Sequence, residues 1–159
     1  MPIFATAGTK LYIGGVLPSQ EADFQSSDFT SQTWVPIGET QNLGSFGDTA
    51  ESIEVSTIAY PRTRRLKGVR SAGTMEVVCA LDYADAGQLA AIAAEKTDND
   101  YAFKVEFNDA PSGGTPSQRL FVAMVGGASE QLDTVSNEMR LNLTLWINSN
   151  IVSVAAAGP

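Results

Sequence analysis

Polar and apolar residues alternate through most of the second half of the chain. In MRLNLTLWIN (139–148) Met139, Leu141, Leu143, Leu145 and Ile147 fall on one side and Arg140, Asn142, Thr144, Trp146 and Asn148 on the other. An extended chain sends successive side chains to opposite faces, so this segment predicts a half-buried β-strand. The same period runs through GTMEVVCALDY (73–83), where Met75, Val77, Cys79, Leu81 and Tyr83 share a face, and through YAFKVEF (101–107), where Tyr101, Phe103, Val105 and Phe107 do. RLFVAMV (119–125) is apolar on both sides and predicts a strand covered on both faces. Upstream, ESIEVSTIAY (51–60) opposes Ile53, Val55 and Thr57 to Ser52, Glu54 and Ser56. TWVPIG (33–38) predicts a short strand whose Pro36 belongs at a sheet edge. LYIGGVL (11–17) is interrupted by Gly14 and Gly15, which fits either two strands meeting at a tight turn or a bulge.

A single helix breaks this series. Asp85 can cap a segment over 86–96, Gln88 follows three residues later at capping-box spacing, and Leu89, Ile92 and Ala93 share a face. Lys96 near the end complements the helix dipole. Three turns suffice to cover one side of a sheet, so the expected architecture is mainly β: an antiparallel sandwich or barrel with one flanking helix. The polar, glycine-bearing stretches 18–33 and 39–50 and the basic stretch 61–72 exceed the roughly 2 to 5 residues of ordinary hairpin turns. They predict long extended arms that make contacts outside the domain.

Composition narrows the function. At 159 residues, 43% hydrophobic and 18% charged, the chain fits one globular domain. Its opening MPIFATAGTK lacks the charged start and apolar core of a secretory signal, and its apolar runs fall short of the ~20 residues a membrane span needs. Synthesis in the cytoplasm and no membrane partner are the expectations. The lone Cys79 reads as a small buried hydrophobe. Histidine is absent, which removes the usual general base, the Ser-His and Cys-His nucleophile pairs and the commonest metal ligand. Neither a phosphate-binding loop nor a dinucleotide fingerprint is present. Glu51 and Glu54 fall on opposite faces of their strand, and Asp98 and Asp100 belong to a solvated turn. No catalytic residue, cofactor or metal is expected.

Charge adds one sharp feature. The chain carries 18 acidic and 10 basic residues, net −8. Five of the ten basic residues, Arg62, Arg64, Arg65, Lys67 and Arg70, lie within nine positions, leaving five basic against 18 acidic, net −13, elsewhere. One cationic segment therefore stands against an anionic body.

The order GTKLYIGG, WVPIGE, LGSFGDTAESIEVSTI, RRLKGVRSAGTMEVVCALD, DAGQLAAIAAEK, YAFKVEF and LNLTLWIN resembles the major tail tube protein of long-tailed bacteriophages over nearly the whole chain. The resemblance implies a β-sandwich subunit with one flanking helix, closed into homo-hexameric rings. Such rings stack head-to-tail into a hollow virion tail tube through which the genome leaves. It implies one domain over 1–159, with an N-terminal arm over 1–8, a stacking loop over about 39–72 and a C-terminal tail over 149–159. Tape measure protein and viral DNA in the lumen, and tail terminator and distal tail proteins at the ends, are the implied partners. On this reading Arg62, Arg64, Arg65, Lys67 and Arg70 make the contact between rings, because an arm of one sign can dock on an opposite-signed face of the next copy. An anionic bore would repel DNA, and Glu54 with Ser52 and Ser56, then Asn142 and Thr144, are the lining candidates.

Rival readings attach to the same residues. The basic cluster could bind nucleic acid or be a solvated loop with no partner. Trp34, Tyr60 and Trp146 could form a stacking platform for sugars, making the domain a carbohydrate- or protein-binding module of a tail tip, or a component of a type VI-like secretion tube.

Overall fold

The computed structural model describes residues 3–159. Ten strands and one α-helix follow in the order β1 (Lys10–Val16), β2 (Val35–Ile37), β3 (Thr40–Asn42), β4 (Thr49–Val55), β5 (Arg64–Ser71), β6 (Thr74–Ala80), α1 (Ala86–Glu95), β7 (Tyr101–Glu106), β8 (Gln118–Gln131), β9 (Arg140–Ile147) and β10 (Val152–Val154). The main antiparallel sheet runs β2-β1-β7-β8-β9-β6-β3, and β10 pairs with the first residues of β8. β4 and β5 form a separate two-stranded sheet.

The two ends of the main sheet are joined by only Gly38 and Glu39, so the sheet curls on itself into a barrel. Glu39 takes a left-handed conformation (φ 57°), and its carbonyl accepts from the Ala80 amide at 2.8 Å. The start of α1 completes the seam. Gly38 N donates to the Asp85 carboxylate at 3.0 Å, and the Gln88 side-chain amide donates to the carbonyls of Gly38 (3.0 Å) and Ala80 (2.9 Å).

The alternating segments supply the barrel's interior. Met75, Val77 and Cys79 of β6, Leu141, Leu143 and Leu145 of β9, and Phe103 and Phe121 of β7 and β8 are all essentially inaccessible. The Phe103 and Phe121 rings stack with centroids 5.8 Å apart. Each such side chain contributes about 1.5–3 kcal/mol by leaving water, which makes this the main stabilising feature of the fold. The reverse face of β7 and β8 is covered too. Ala102, Leu120 and Val122 pack under Phe24, Phe29, Trp34 and the β10 valines Val152 and Val154. The expectation that 119–125 is buried on both faces is therefore borne out, as is Pro36 on an edge strand.

Several local expectations need correction. Of the two readings of Gly14 and Gly15 the bulge holds and the tight turn does not: β1 is continuous, with a register shift between Ile13 and Val16. β8 continues to Gln131, six residues past the segment expected as a strand, through a register shift between Val125 and Gly127. The stretch 61–72 is no loop, since Arg64–Ser71 is strand β5, and 39–50 contains β3.

The helix buries Gly87, Gln88, Ala91 and Ala94 and not the face carrying Leu89, which is exposed. A Cβ on Gly87 would sit 2.0 Å from the Pro36 carbonyl oxygen, so α1 lies directly on the β2 backbone and only small residues fit between. Asp85 caps the helix by accepting from Gln88 N at 2.9 Å, but the Gln88 side chain does not return the bond to the cap. It turns inward to the seam, where its carbonyl accepts from Asp82 N at 3.0 Å.

Within 149–159, β10 and a bridge between Thr115 and Ala157 fold the tail back onto its own chain. Of the segment 1–8, Met1 and Pro2 lie outside the described residues. Ile3 and Phe4 are exposed, and the Asn108 amide donates to the Ala7 carbonyl at 2.8 Å.

Candidate functional site

Among the described residues β4 and β5 pair only with each other, standing off the barrel as a hairpin arm rooted at the start of β6. Nearly every residue of both strands is exposed. Cross-strand partners in an antiparallel pair share a face, so the register sorts the arm's side chains. Ser52 opposes Lys67 and Glu54 opposes Arg65 on one face; Ile53 opposes Leu66 and Val55 opposes Arg64 on the other. A register shift between Ala50 and Ser52 leaves an extra residue in β5 and brings Arg70, opposite Ala50, onto the face of Lys67 and Arg65. The arm therefore has a charged face with Arg65, Lys67 and Arg70, and an apolar face with Ile53, Val55 and Leu66.

The five basic residues named from the sequence are thus split. Three share the charged face. Arg64 lies on the apolar face with its guanidinium 4.6 Å from the Tyr60 ring centroid, and Arg62 sits in the turn between the strands. The charged face is partly self-neutralised: Arg65 reaches Glu54 at 3.4 Å and Arg70 reaches Asp48 at 3.7 Å. Both pairs are open to solvent, where such contacts contribute about 0–1 kcal/mol. They orient side chains without occupying Lys67.

The lining candidates do not form one surface. Ser52 and Glu54 are on the arm's charged face beside the basic residues, and the Ser56 hydroxyl lies 3.1 Å from that of Thr63 near the turn. Asn142 and Thr144 belong to the barrel wall. They point away from the core on β9, where Asn142 donates to the Gln131 side chain at 3.1 Å and Thr144 sits opposite Glu76 of β6. The three aromatic candidates also part company. Trp34 packs in the cluster behind β7 and β8, Tyr60 lies under Arg64 on the arm, and Trp146 covers Gly126, where a Cβ would come 2.3 Å from the indole. No shared platform exists.

A surface at the far end of the barrel carried no sequence signal of its own. The β8–β9 turn exposes Leu132, Val135 and Met139, and beside it Glu130 accepts from the Tyr83 hydroxyl while Glu138 accepts from the Gln41 amide at 2.7 Å. Only the pairing of β6, β8 and β9 reveals that these residues meet. The Gln41 amide and the Arg140 guanidinium hold the Glu138 carboxyl below its ordinary pKa.

Reactive chemistry is sparse. Burial, reinforced by the Asp85 charge, pushes the Cys79 thiol up to about 11, leaving it a poor nucleophile. Among the described residues no three His, Cys, Asp or Glu side chains gather as a metal-ligand group, and no helix is long and apolar enough to cross a membrane.

No protein-family model and no curated protein matches the sequence. The fold is nevertheless shared with solved structures. A chain of the SPP1 tail tube, solved by solid-state NMR and cryo-EM, aligns with a TM-score of 0.65 at 15% identity, over 97% of this chain and 80% of that one. A chain of the anti-feeding prophage baseplate, in a six-fold symmetrised cryo-EM structure, aligns with a TM-score of 0.65 at 10% identity over 98% of each chain. A looser likeness, with a TM-score of 0.46 at 11% identity over 92% of this chain and 98% of the other, is to an Hcp protein and carries no weight here. The protein has the mainly antiparallel, single-helix fold of tail tubes.

Proposed function

We propose that the protein is a structural subunit that builds a hollow virion tail tube from stacked hexameric rings. The observation that carries this reading is the arm: a hairpin with exposed apolar and basic faces whose strands, among the described residues, pair only with each other, on a barrel that is otherwise well packed. A hairpin of two strands is marginal in water by itself, so such an arm is best stabilised by a neighbouring molecule. The likeness to the SPP1 and anti-feeding prophage chains over nearly the full length supports the choice of assembly.

Arg62, Arg64, Arg65, Lys67 and Arg70 make the contact between rings, with Ile53 and Leu66 adding apolar burial. Exposed ion pairs give only ~0.2–1 kcal/mol each, so six arms acting together and the apolar face carry the affinity. The uncovered outer wall of β6 and β9, with Asn142, Thr144 and Glu76, is the better candidate lining for the bore. Glu54, Ser52 and Ser56 lie farther out on the arm, toward its turn, and contribute there only where the arm itself runs along the bore. An uncharged to acidic wall keeps DNA phosphates from being held by counterion release. Tape measure protein and DNA occupy the lumen, terminator and distal proteins close the ends, and the subunits are made in the host cytoplasm.

The test is the triple variant Arg64→Glu, Arg65→Glu, Lys67→Glu, viewed by negative-stain electron microscopy beside the unaltered protein. Folded subunits or single rings that fail to lengthen are expected. Tubes of unchanged length and number would overturn the stacking role.

A further inference from the structure

We infer that the arm of one copy seats on a defined surface of the next: the acidic pole formed by Glu39, Glu130, Asp133 and Glu138 at the end of the barrel remote from the arm's root. This rests on the self-assembly proposed above and adds the acceptor it lacks.

The ladder between β6 and β9 separates the two surfaces. At one end Thr74 opposes Trp146 and Ile147 N donates to Gly73 O, immediately beside the arm's root. At the other end of this seven-pair ladder Ala80 opposes Arg140, roughly 20 Å away at strand spacing. Contacts at that end knit the pole together. Ala80 N donates to Glu39 O, Leu81 N to Met139 O, Tyr83 to Glu130, and Gln41 to Glu138.

The two surfaces match in charge and in apolar character. Residues 49–71 carry five basic and two acidic side chains, net +3. The pole carries four exposed carboxylates and one guanidinium, that of Arg140, which is engaged by Glu138 at 3.3 Å. Each surface also shows hydrophobic side chains to solvent: Leu132, Val135 and Met139 at the pole, Ile53, Leu66 and Val69 on the arm. Val135 is fully exposed, as is Ile58 in the arm's turn.

Among the described residues no hydrogen bond or ion pair joins arm to pole within one chain, which leaves both surfaces free for a contact between copies. A contact between two different surfaces of identical molecules is heterologous and does not close on itself. It therefore repeats along one direction and gives the stack a polarity, all arms pointing the same way.

The experiment uses the full chain, with sedimentation and electron microscopy reporting tubes and circular dichroism with thermal melting reporting the fold. Reversing the pole alone, Glu130→Lys with Glu138→Lys, is expected to cut the sedimenting fraction at least tenfold while the fold persists. Val135→Lys, in a fully exposed turn position, makes the same prediction without touching the hydrogen-bonded carboxylates. Combining the reversed pole with Arg65→Glu and Lys67→Glu, which exchanges the two signs, is expected to restore tubes. A folded fourfold variant that stays unassembled would overturn direct pairing.

Tubes of ordinary length from both Glu130→Lys/Glu138→Lys and Val135→Lys would also overturn the acceptor. If the arm variants still blocked assembly, the arm would dock elsewhere and the tube reading would stand. If the unaltered protein stayed monomeric at high concentration, and its arm instead shifted a duplex DNA fragment on a gel, both readings would fall.

Discussion

Strands β5 and β6 are separated only by Ala72 and Gly73, yet they meet opposite environments. β6 alternates cleanly, with Met75, Val77 and Cys79 sealed in the barrel, whereas β5 leaves Leu66 and Val69 more than half exposed. Both are extended and both are paired, so secondary structure does not distinguish them. What differs is the number of neighbours that exclude water: β6 lies between β9 and β3 over a common core, and β5 has β4 alone. The fold invests its stability in one region and leaves the other available for contact.

The largest expected effect tests that division directly. Phe121→Ala, in the stacked pair at the barrel's centre, is expected to cost about 3–5 kcal/mol in urea unfolding, while Leu66→Ala on the arm changes stability by no more than ~0.5 kcal/mol. Comparable losses at the two positions would mean that the arm is part of the cooperative unit. Gln88→Ala comes next. Its buried amide donates to Gly38 and Ala80 and accepts from Asp82, so its removal strands partners at the seam, and about 1–3 kcal/mol should be lost. Retained stability would show that water can enter and replace it.

The smallest effect belongs to Asp109, whose carboxylate accepts from the Ser117 hydroxyl at 2.6 Å and the Ser117 amide at 2.8 Å. The hydroxyl is the leading cause holding this carboxyl below its ordinary pKa. A depressed pKa favours the folded state above the unfolded carboxylate range of ~4, and that contribution is lost as pH falls through the folded value. Thermal melts of the parent and Asp109→Asn should therefore differ slightly near neutral pH and converge as pH falls through the folded carboxyl's lowered pKa. A gap that widened on acidification would contradict the assignment.

The barrel was largely legible because its strands obey an alternation that burial on one side enforces. β9, β6 and β7 could be read from hydrophobic positions alone. β5 could not, because RRLKGVRS faces no core and nothing selects apolar residues at every second position. The helix misled for the opposite reason. Its contact with β2 is so close that Gly87, Ala91 and Ala94 face inward while Leu89 faces water, reversing the usual inference from side-chain size. At the arm, the cluster of positive charge was visible but its faces were not. One extra residue in β5 moves Arg70 to the side of Lys67, and only the pairing register discloses that Glu54 lies opposite Arg65. The acidic pole was less legible still, since Glu39 is far in sequence from Glu130 and Glu138, which flank the β8–β9 turn, and meets them only through the sheet.

The two-residue passage at Gly38 and Glu39 has a consequence for how such a molecule can vary. Because it ties one rim of the sheet to the other, the girth of each subunit is set by covalent connectivity, and an added strand would have to be accommodated across that short hop. Lengthening is far easier in the solvent-bathed turn over 56–63. In the tube proposed above, any change in calibre must then come from how many copies stand around the bore, while the subunit's own cross-section stays the same.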